Sequence, residues 1–156
     1  LFFLLMVPVF EESRRWMDRI EKRLEAKKYG DGKALLKDLF RVLYKTYAID
    51  PDAFKIVQLF QHTGMVWEMN EETRTALFEM GRYNFVAGRR IVEEAMQQGL
   101  LRKMNAHRLV DTIWGAFLGI VRLEDTKSAG RKKNPHLKPT LHFFEELVTG
   151  AIVRGE

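Results

Sequence analysis

Apolar residues along this chain recur in steps of three and four, and in no stretch do they alternate for long enough to read as a strand. That spacing puts them on one side of an α-helix and leaves no sheet for a core to rest on. The pattern therefore predicts an all-α fold, a helical bundle of about six helices. The 156 residues suit one domain, and a chain of that length buries roughly two-thirds of its unfolded surface, enough for a core without disulfides or metals.

The opening run LFFLLMVPVF carries no charge. A membrane span needs about 20 apolar residues, and this run stops at Glu11. A secretory signal has a basic segment before its apolar stretch and a small-residue cleavage site after it, and neither is present here. At helical spacing Phe3, Met6, Phe10, Met17, Ile20 and Leu24 form one stripe that only Ser13 breaks. Arg14, Arg15, Asp18, Arg19, Lys22 and Arg23 lie opposite. The stripe keeps its phase across Pro8, so the reading is a helix to about Lys27, kinked at the proline and not ended by it.

Tyr29-Gly30-Asp31-Gly32 ends that helix, and Leu36, Leu39, Phe40, Leu43 and Tyr47 mark a second. Asp50-Pro51 reads as an N-cap and a first-turn proline. The short helix after it carries Phe54, Val57 and Phe60 to about His62 and is unsettled by Gly64. Asn70 opens a long helix that reaches Gln98 and closes at Gly99. Two more follow, at about 105–126 and 139–154.

The net charge is +5. Between Asp125 and Pro139 five basic residues (Lys127, Arg131, Lys132, Lys133 and Lys138) face one acid, so most of the excess sits in a single loop. Nucleic-acid readers spread basic residues over a face. The loop reads as a solvated connection, and the chain is not expected to contact nucleic acid itself. There is no cysteine, which excludes disulfides and thiolate chemistry and fits a cytoplasmic location.

Catalytic signals are absent. Ser13 and Ser128 are the two serines, and neither sits in a G-x-S-x-G context. None of His62, His107, His136 and His142 follows a glutamate by three residues, and no two are four apart as zinc ligands on a helix would be. Gly32-Lys33 lacks the rest of a phosphate-binding loop, with Lys27 in place of its first glycine and Ala34 in place of Ser/Thr. No enzyme activity, cofactor or metal is expected.

Two helices carry more apolar surface than one neighbour covers. In DTIWGAFLGIVRL, Gly115 and Gly119 share a face at a cost of about 1 kcal/mol each relative to alanine. With Ala116 they would let another helix backbone approach closely. Trp114, Phe117, Ile120, Val121 and Leu123 cover much of the remaining circumference. In the last helix Leu141, Phe144 and Val148 form a stripe that Phe143 and Leu147 widen. Such surfaces mark either interfaces or a monomeric core, and twofold dimers are the commonest oligomers, so a homodimer is expected through these residues. In the long helix Leu77, Met80, Asn84, Ala87 and Ile91 share a face. Asn84 is either an amide satisfied within the fold or the polar anchor of an apolar pocket, with Tyr83 beside it. Met6, Phe10, Tyr44, Tyr47, Phe60, Met65, Trp67, Met80 and Trp114 are further candidates for the lining of such a pocket.

AMQQGLLRKMNAHRLVDTIWGAFLGIVRL, from Ala95 to Leu123, resembles the late helices of the TetR family of bacterial transcriptional regulators. In that family a glycine turn ends one helix, and the next opens with small and polar residues before an aromatic–glycine pair and a second glycine. LHFFEELVTGAIV is similar to the family's last helix, and LFFLLMVPVFEES resembles the helix that follows its DNA-binding head. The resemblance implies an effector-binding and dimerisation domain, residues 1–156, of a repressor whose helix-turn-helix head is not in this chain, so that DNA is reached only through that head. It also implies that the helices at 105–126 and 139–154 pack against their copies as a four-helix interface. A small, largely apolar ligand in the core would shift the first helix, with Pro8 as its hinge, and alter the spacing of two heads that read half-sites about 34–36 Å apart. Two other readings stay open: a freestanding all-α homodimeric adaptor, and a small helical enzyme acting through Asn84, Tyr83 or His62.

Overall fold

A computed structural model describes residues 2–128 and 134–153, with the side chains of 2–5, 60 and 61 left aside. It contains six α-helices: α1 (Phe2–Glu25), α2 (Gly32–Ile49), α3 (Pro51–Thr63), α4 (Glu71–Gln97), α5 (Ala106–Lys127) and α6 (Leu137–Ile152). A 3-10 turn over Met65–Glu68, which the apolar spacing did not foretell, joins α3 to α4. Among the described residues there is no strand, only an isolated antiparallel bridge between Leu101 and Val153. No described helix is long and apolar enough to cross a membrane.

The helix ends follow local chemistry. The side chains of Asp31, Asp50, Asn70 and Asn105 each accept a hydrogen bond from a backbone N–H in the first turn of the helix that follows, at 2.8–2.9 Å. Each satisfies one of the donors that a helix start leaves orphaned. Gly64 and Gly99 take left-handed backbone angles where α3 and α4 stop. α6 starts at Leu137, two residues before Pro139, because the Asn134 side chain accepts from the Leu137 N–H at 3.1 Å and so supplies the cap from outside. α1 runs unbroken through Pro8. Arg131, Lys132 and Lys133 of the basic loop lie outside the described residues; Lys127 and Lys138 belong to the helices on either side.

Two apolar clusters organise the interior. The larger joins Ile20 and Leu24 of α1, Leu35 and Leu36 of α2, and Ala87, Ile91 and Ala95 of α4. The smaller gathers Tyr47, Phe54, Phe117, Val121, Leu137 and Leu141 from α2, α3, α5 and α6. Phe117, Val121 and Leu141 were expected at a dimer interface. They are 0%, 3% and 7% exposed within the protomer, so they hold its own core and cannot also form a contact surface. The apolar girth of α5 therefore divides into an inner and an outer face.

Polar pairs tie the second half of α1 to α4. The Tyr83 hydroxyl donates to Asp18 at 2.6 Å, and Arg90 donates to both Glu21 carboxylate oxygens at 2.7 and 3.1 Å. The Gln98 amide donates to the Leu24 carbonyl at 2.9 Å.

Candidate functional site

Between the two clusters lies a cavity of about 320 Å³ lined by residues of α1–α5. It falls at the low end of the roughly 300–1,000 Å³ typical of small-molecule sites. Met6, Val9, Phe10, Ser13 and Met17 of α1 form one wall; steps of three and four place all five on one side of that helix. Ser13, which interrupts the apolar stripe in the sequence, thus becomes a hydroxyl in the cavity wall. α2 contributes Leu36, Leu39, Phe40, Val42, Leu43 and Thr46, and α3 contributes Phe54, Val57 and Gln58. α4 presents Gly81, Asn84, Phe85, Gly88 and Val92, and α5 presents Leu109, Val110, Ile113 and Trp114.

The two α4 glycines help make the space. They stand two turns apart on the same face as Phe85 and Val92, and the missing side chains recess the wall. A Cβ added at Gly81 would meet nothing within 4 Å, and one at Gly88 would touch Val110 and Met17 at ordinary contact distance.

Among the described residues no ionisable side chain lines the cavity; Ser13, Thr46, Gln58 and Asn84 are its polar groups. The Thr46 hydroxyl donates to the Val42 carbonyl at 2.8 Å. The Asn84 Oδ1 is buried and has no hydrogen-bond partner among the described residues. A buried acceptor left unpaired costs about 1–3 kcal/mol, and native structures contain few of them.

Of the residues singled out from sequence, Met6, Phe10, Asn84 and Trp114 line the cavity, and the others whose side chains are described are placed elsewhere. Tyr83 faces the polar side of α1, donating to Asp18 beneath the Arg14 guanidinium. Tyr44 packs beside Tyr47 under the Lys138 ammonium. Tyr47 is buried in the smaller cluster and donates to Asp125 at 3.1 Å. Burial first, and then the Asp125 carboxylate, push its phenol up to about 12. Met80 is half-buried away from the lining. Met65 and Trp67 sit in the 3-10 turn, where Trp67 is 67% exposed against Phe78. The Phe60 side chain lies outside the described residues. Sequence reasoning passed over Ser13, Phe40, Phe54, Gly81, Phe85 and Gly88. The detectable signal was the pair of glycines seven residues apart in a long helix.

The outer surface carries a second feature. Gly115, Gly119 and Leu123 are exposed along α5, and Phe143, Leu147 and Gly150 are exposed along α6. Ile120, Phe144 and Val148 are half-buried at its edge; Phe144 meets Phe40 edge to face at 5.3 Å between centroids. Behind this face Glu124 is buried, accepting from Lys127 at 3.0 Å and from Thr140 at 2.8 Å. Those two hydrogen bonds hold its carboxyl below the usual carboxylate range. The described residues contain no group of three or more His, Asp or Glu placed to hold a metal ion.

Comparison of the chain with protein-family models, with curated proteins and with solved structures gives no match.

Proposed function

We propose that the chain is the effector-binding and dimerisation domain of a TetR-type transcriptional regulator, which binds a small, largely apolar molecule in the cavity between α1 and α5. One observation carries the reading. The cavity is walled on one side by α1, the helix that the sequence resemblance places next to a DNA-binding head. A pocket built on that helix gives a ligand direct purchase on it, so filling the cavity and moving a head become one event. The exposed glycine and apolar residues of α5 and α6 support a twofold partner on that outer face. A ligand-free adaptor would have no use for a largely apolar cavity of this size among its helices.

Two measurements test the reading together. The first is native mass spectrometry of the chain purified from cells, which should find a dimer carrying a small molecule. The second is the coding DNA upstream of Leu1, which should read in frame as a three-helix head. A ligand-free monomer with no such upstream segment overturns it.

A further inference from the structure

The shape and polarity of the cavity define a ligand class, and this step rests on the reading of that cavity as the binding site. The lining runs from Met6 to Met17 on α1, from Leu36 to Thr46 on α2 and from Gly81 to Val92 on α4. At 1.5 Å per residue each stretch is about 15–16 Å long. α1 and α4 run the same way, since Asp18, Glu21 and Leu24 meet Tyr83, Arg90 and Gln98 in turn. α2 runs against α1, since Lys45 lies over Trp16 and Asp38 accepts from Arg23. The three stretches therefore lie side by side. About 320 Å³ spread over that length has a mean section of about 20 Å², so the space is long and narrow.

Its two ends differ. Met17, Leu36, Leu39, Val92, Leu109 and Val110 line the end that abuts the larger cluster, and all six are apolar. The polar residues lie toward the other end: Ser13 one turn before Met17, Thr46 one turn beyond Val42, Gln58 one turn beyond Phe54, and Asn84 one turn before Gly88. Their availability is unequal. Asn84 Oδ1 is buried out of a ligand's reach. The buried Thr46 hydroxyl has given its proton to the Val42 carbonyl, and Ser13 is buried as well. Gln58 is half-buried, and its carboxamide both donates and accepts. No ionisable group lines the cavity among the described residues, so an ion entering it would lose its hydration with no counter-charge to replace it.

We infer that the cavity takes an elongated, uncharged amphiphile, with its alkyl chain in the Met17–Val92 end and a neutral polar head on Gln58. A carbon chain advances about 1.3 Å per bond, so about ten carbons and a head atom fill the length once the atomic radii at both ends are included. The test is isothermal titration calorimetry of the chain with 1-decanol, 1-hexanol, 1-adamantanol, 1,10-decanediol and decanoate. Affinity rises about fourfold per buried methylene, so 1-decanol binds about a hundredfold or more tighter than 1-hexanol. 1-Adamantanol, with ten carbons and a hydroxyl packed into a ball, binds far more weakly than 1-decanol. The diol binds at least about tenfold more weakly, because its second hydroxyl is buried among apolar residues without a partner. Decanoate does not bind. Gln58→Leu weakens 1-decanol about tenfold, the worth of one hydrogen bond, with a melting curve showing that the variant is folded. Gly81→Leu, whose added side chain enters open space at the polar end, removes the advantage of 1-decanol over 1-hexanol.

The failures separate. 1-Hexanol or 1-adamantanol binding as tightly as 1-decanol overturns the elongated shape. A diol that binds as well as 1-decanol overturns the apolar end, and an unchanged affinity in Gln58→Leu overturns the placement of the head. Binding of decanoate, or no binding of 1-decanol, overturns the ligand class and leaves the cavity as a site. 1-Decanol binding unaffected by Gly81→Leu overturns the cavity as the site, and the proposed function with it.

Discussion

Replacing Gly115 and Gly119 together by alanine separates the stability of the single chain from its proposed association with a second copy. Both glycines lie inside α5, and an added Cβ at either would meet nothing within 4 Å in the protomer. Alanine is favoured over glycine in a helix interior by about 1 kcal/mol per site. The isolated chain should therefore gain up to roughly 2 kcal/mol from the pair, a rise in melting temperature of several degrees for a domain of this size. If α5 packs closely against a second copy of itself, the same two methyl groups stand in the contact and hold the helices apart. Stability at low concentration then rises while association falls. Urea unfolding at two protein concentrations, with sedimentation equilibrium on both proteins, measures the two effects separately. Stabilisation with unchanged association refutes a close α5 contact at these glycines. A loss of stability in the monomeric range refutes the argument from helix propensity, since it would mean that the methyl groups meet something inside the protomer.

Further outcomes follow from the same geometry. Phe117→Ala should cost about 3–5 kcal/mol at any protein concentration, because it empties a fully buried site between Phe54 and Trp114. Phe143→Ala, at a residue 61% exposed, should leave monomer stability within about 0.5 kcal/mol and change only association; equal losses in chemical denaturation would contradict this division. Gly32→Ala should destabilise by about 1–3 kcal/mol, because its Cβ would press on the Leu100 carbonyl and Val153, and a carbonyl in the backbone cannot swing aside; an unchanged urea midpoint would mean that the contact yields. The Tyr47 phenol, pushed up to about 12 by burial and then by Asp125, holds its proton more tightly folded than unfolded. Its contribution is complete below about pH 10, the ordinary tyrosine value, and is lost as the pH rises from there toward 12. Tyr47→Phe should flatten that alkaline limb of a stability–pH curve, and an unaltered limb would assign it to another group.

The bundle was readable from sequence because its signals are local. Apolar stripes set the helices, and Asp50, Asn70, Gly64 and Gly99 set their ends through caps and left-handed turns. The start of α6 was misjudged because its cap is supplied by Asn134, three residues upstream of the first helical residue. The site was legible only in part, since residue type does not say which way a side chain faces. Met6, Phe10, Asn84 and Trp114 line the cavity. Tyr83 and Tyr44 have equally suitable rings, but their hydroxyl-bearing or cation-covered sides belong to polar surroundings that depend on Asp18, Arg14 and Lys138 in other helices. On α4 the apolar stripe is tightly packed only at Ala87 and Ile91. The cavity reaches from Asn84 on that stripe one step round to the face with two glycines, where material is missing. Apolar periodicity registers what fills a core and is silent on what leaves a gap.

The two halves of α1 are held by different means, and this makes a testable claim about which half answers to the cavity. From Asp18 onward the helix is fixed to α4 by the Tyr83–Asp18 and Arg90–Glu21 pairs and by buried Ile20 and Leu24. From Met6 to Met17 its inner face rests on the cavity, with Pro8 exposed on the outer side. Backbone hydrogen bonds over a void open more easily than those over a packed core, so amide hydrogen exchange should be faster before Met17 than after Asp18. Fraying of a helix end would give the same gradient. Gly81→Leu distinguishes the two, because filling the cavity from α4 should slow exchange over Met6–Met17 and leave Asp18–Glu25 unchanged, whereas fraying does not respond to a side chain on another helix. An unchanged first half in that variant would mean that the cavity has no hold on α1, which would remove the coupling that the proposed function needs.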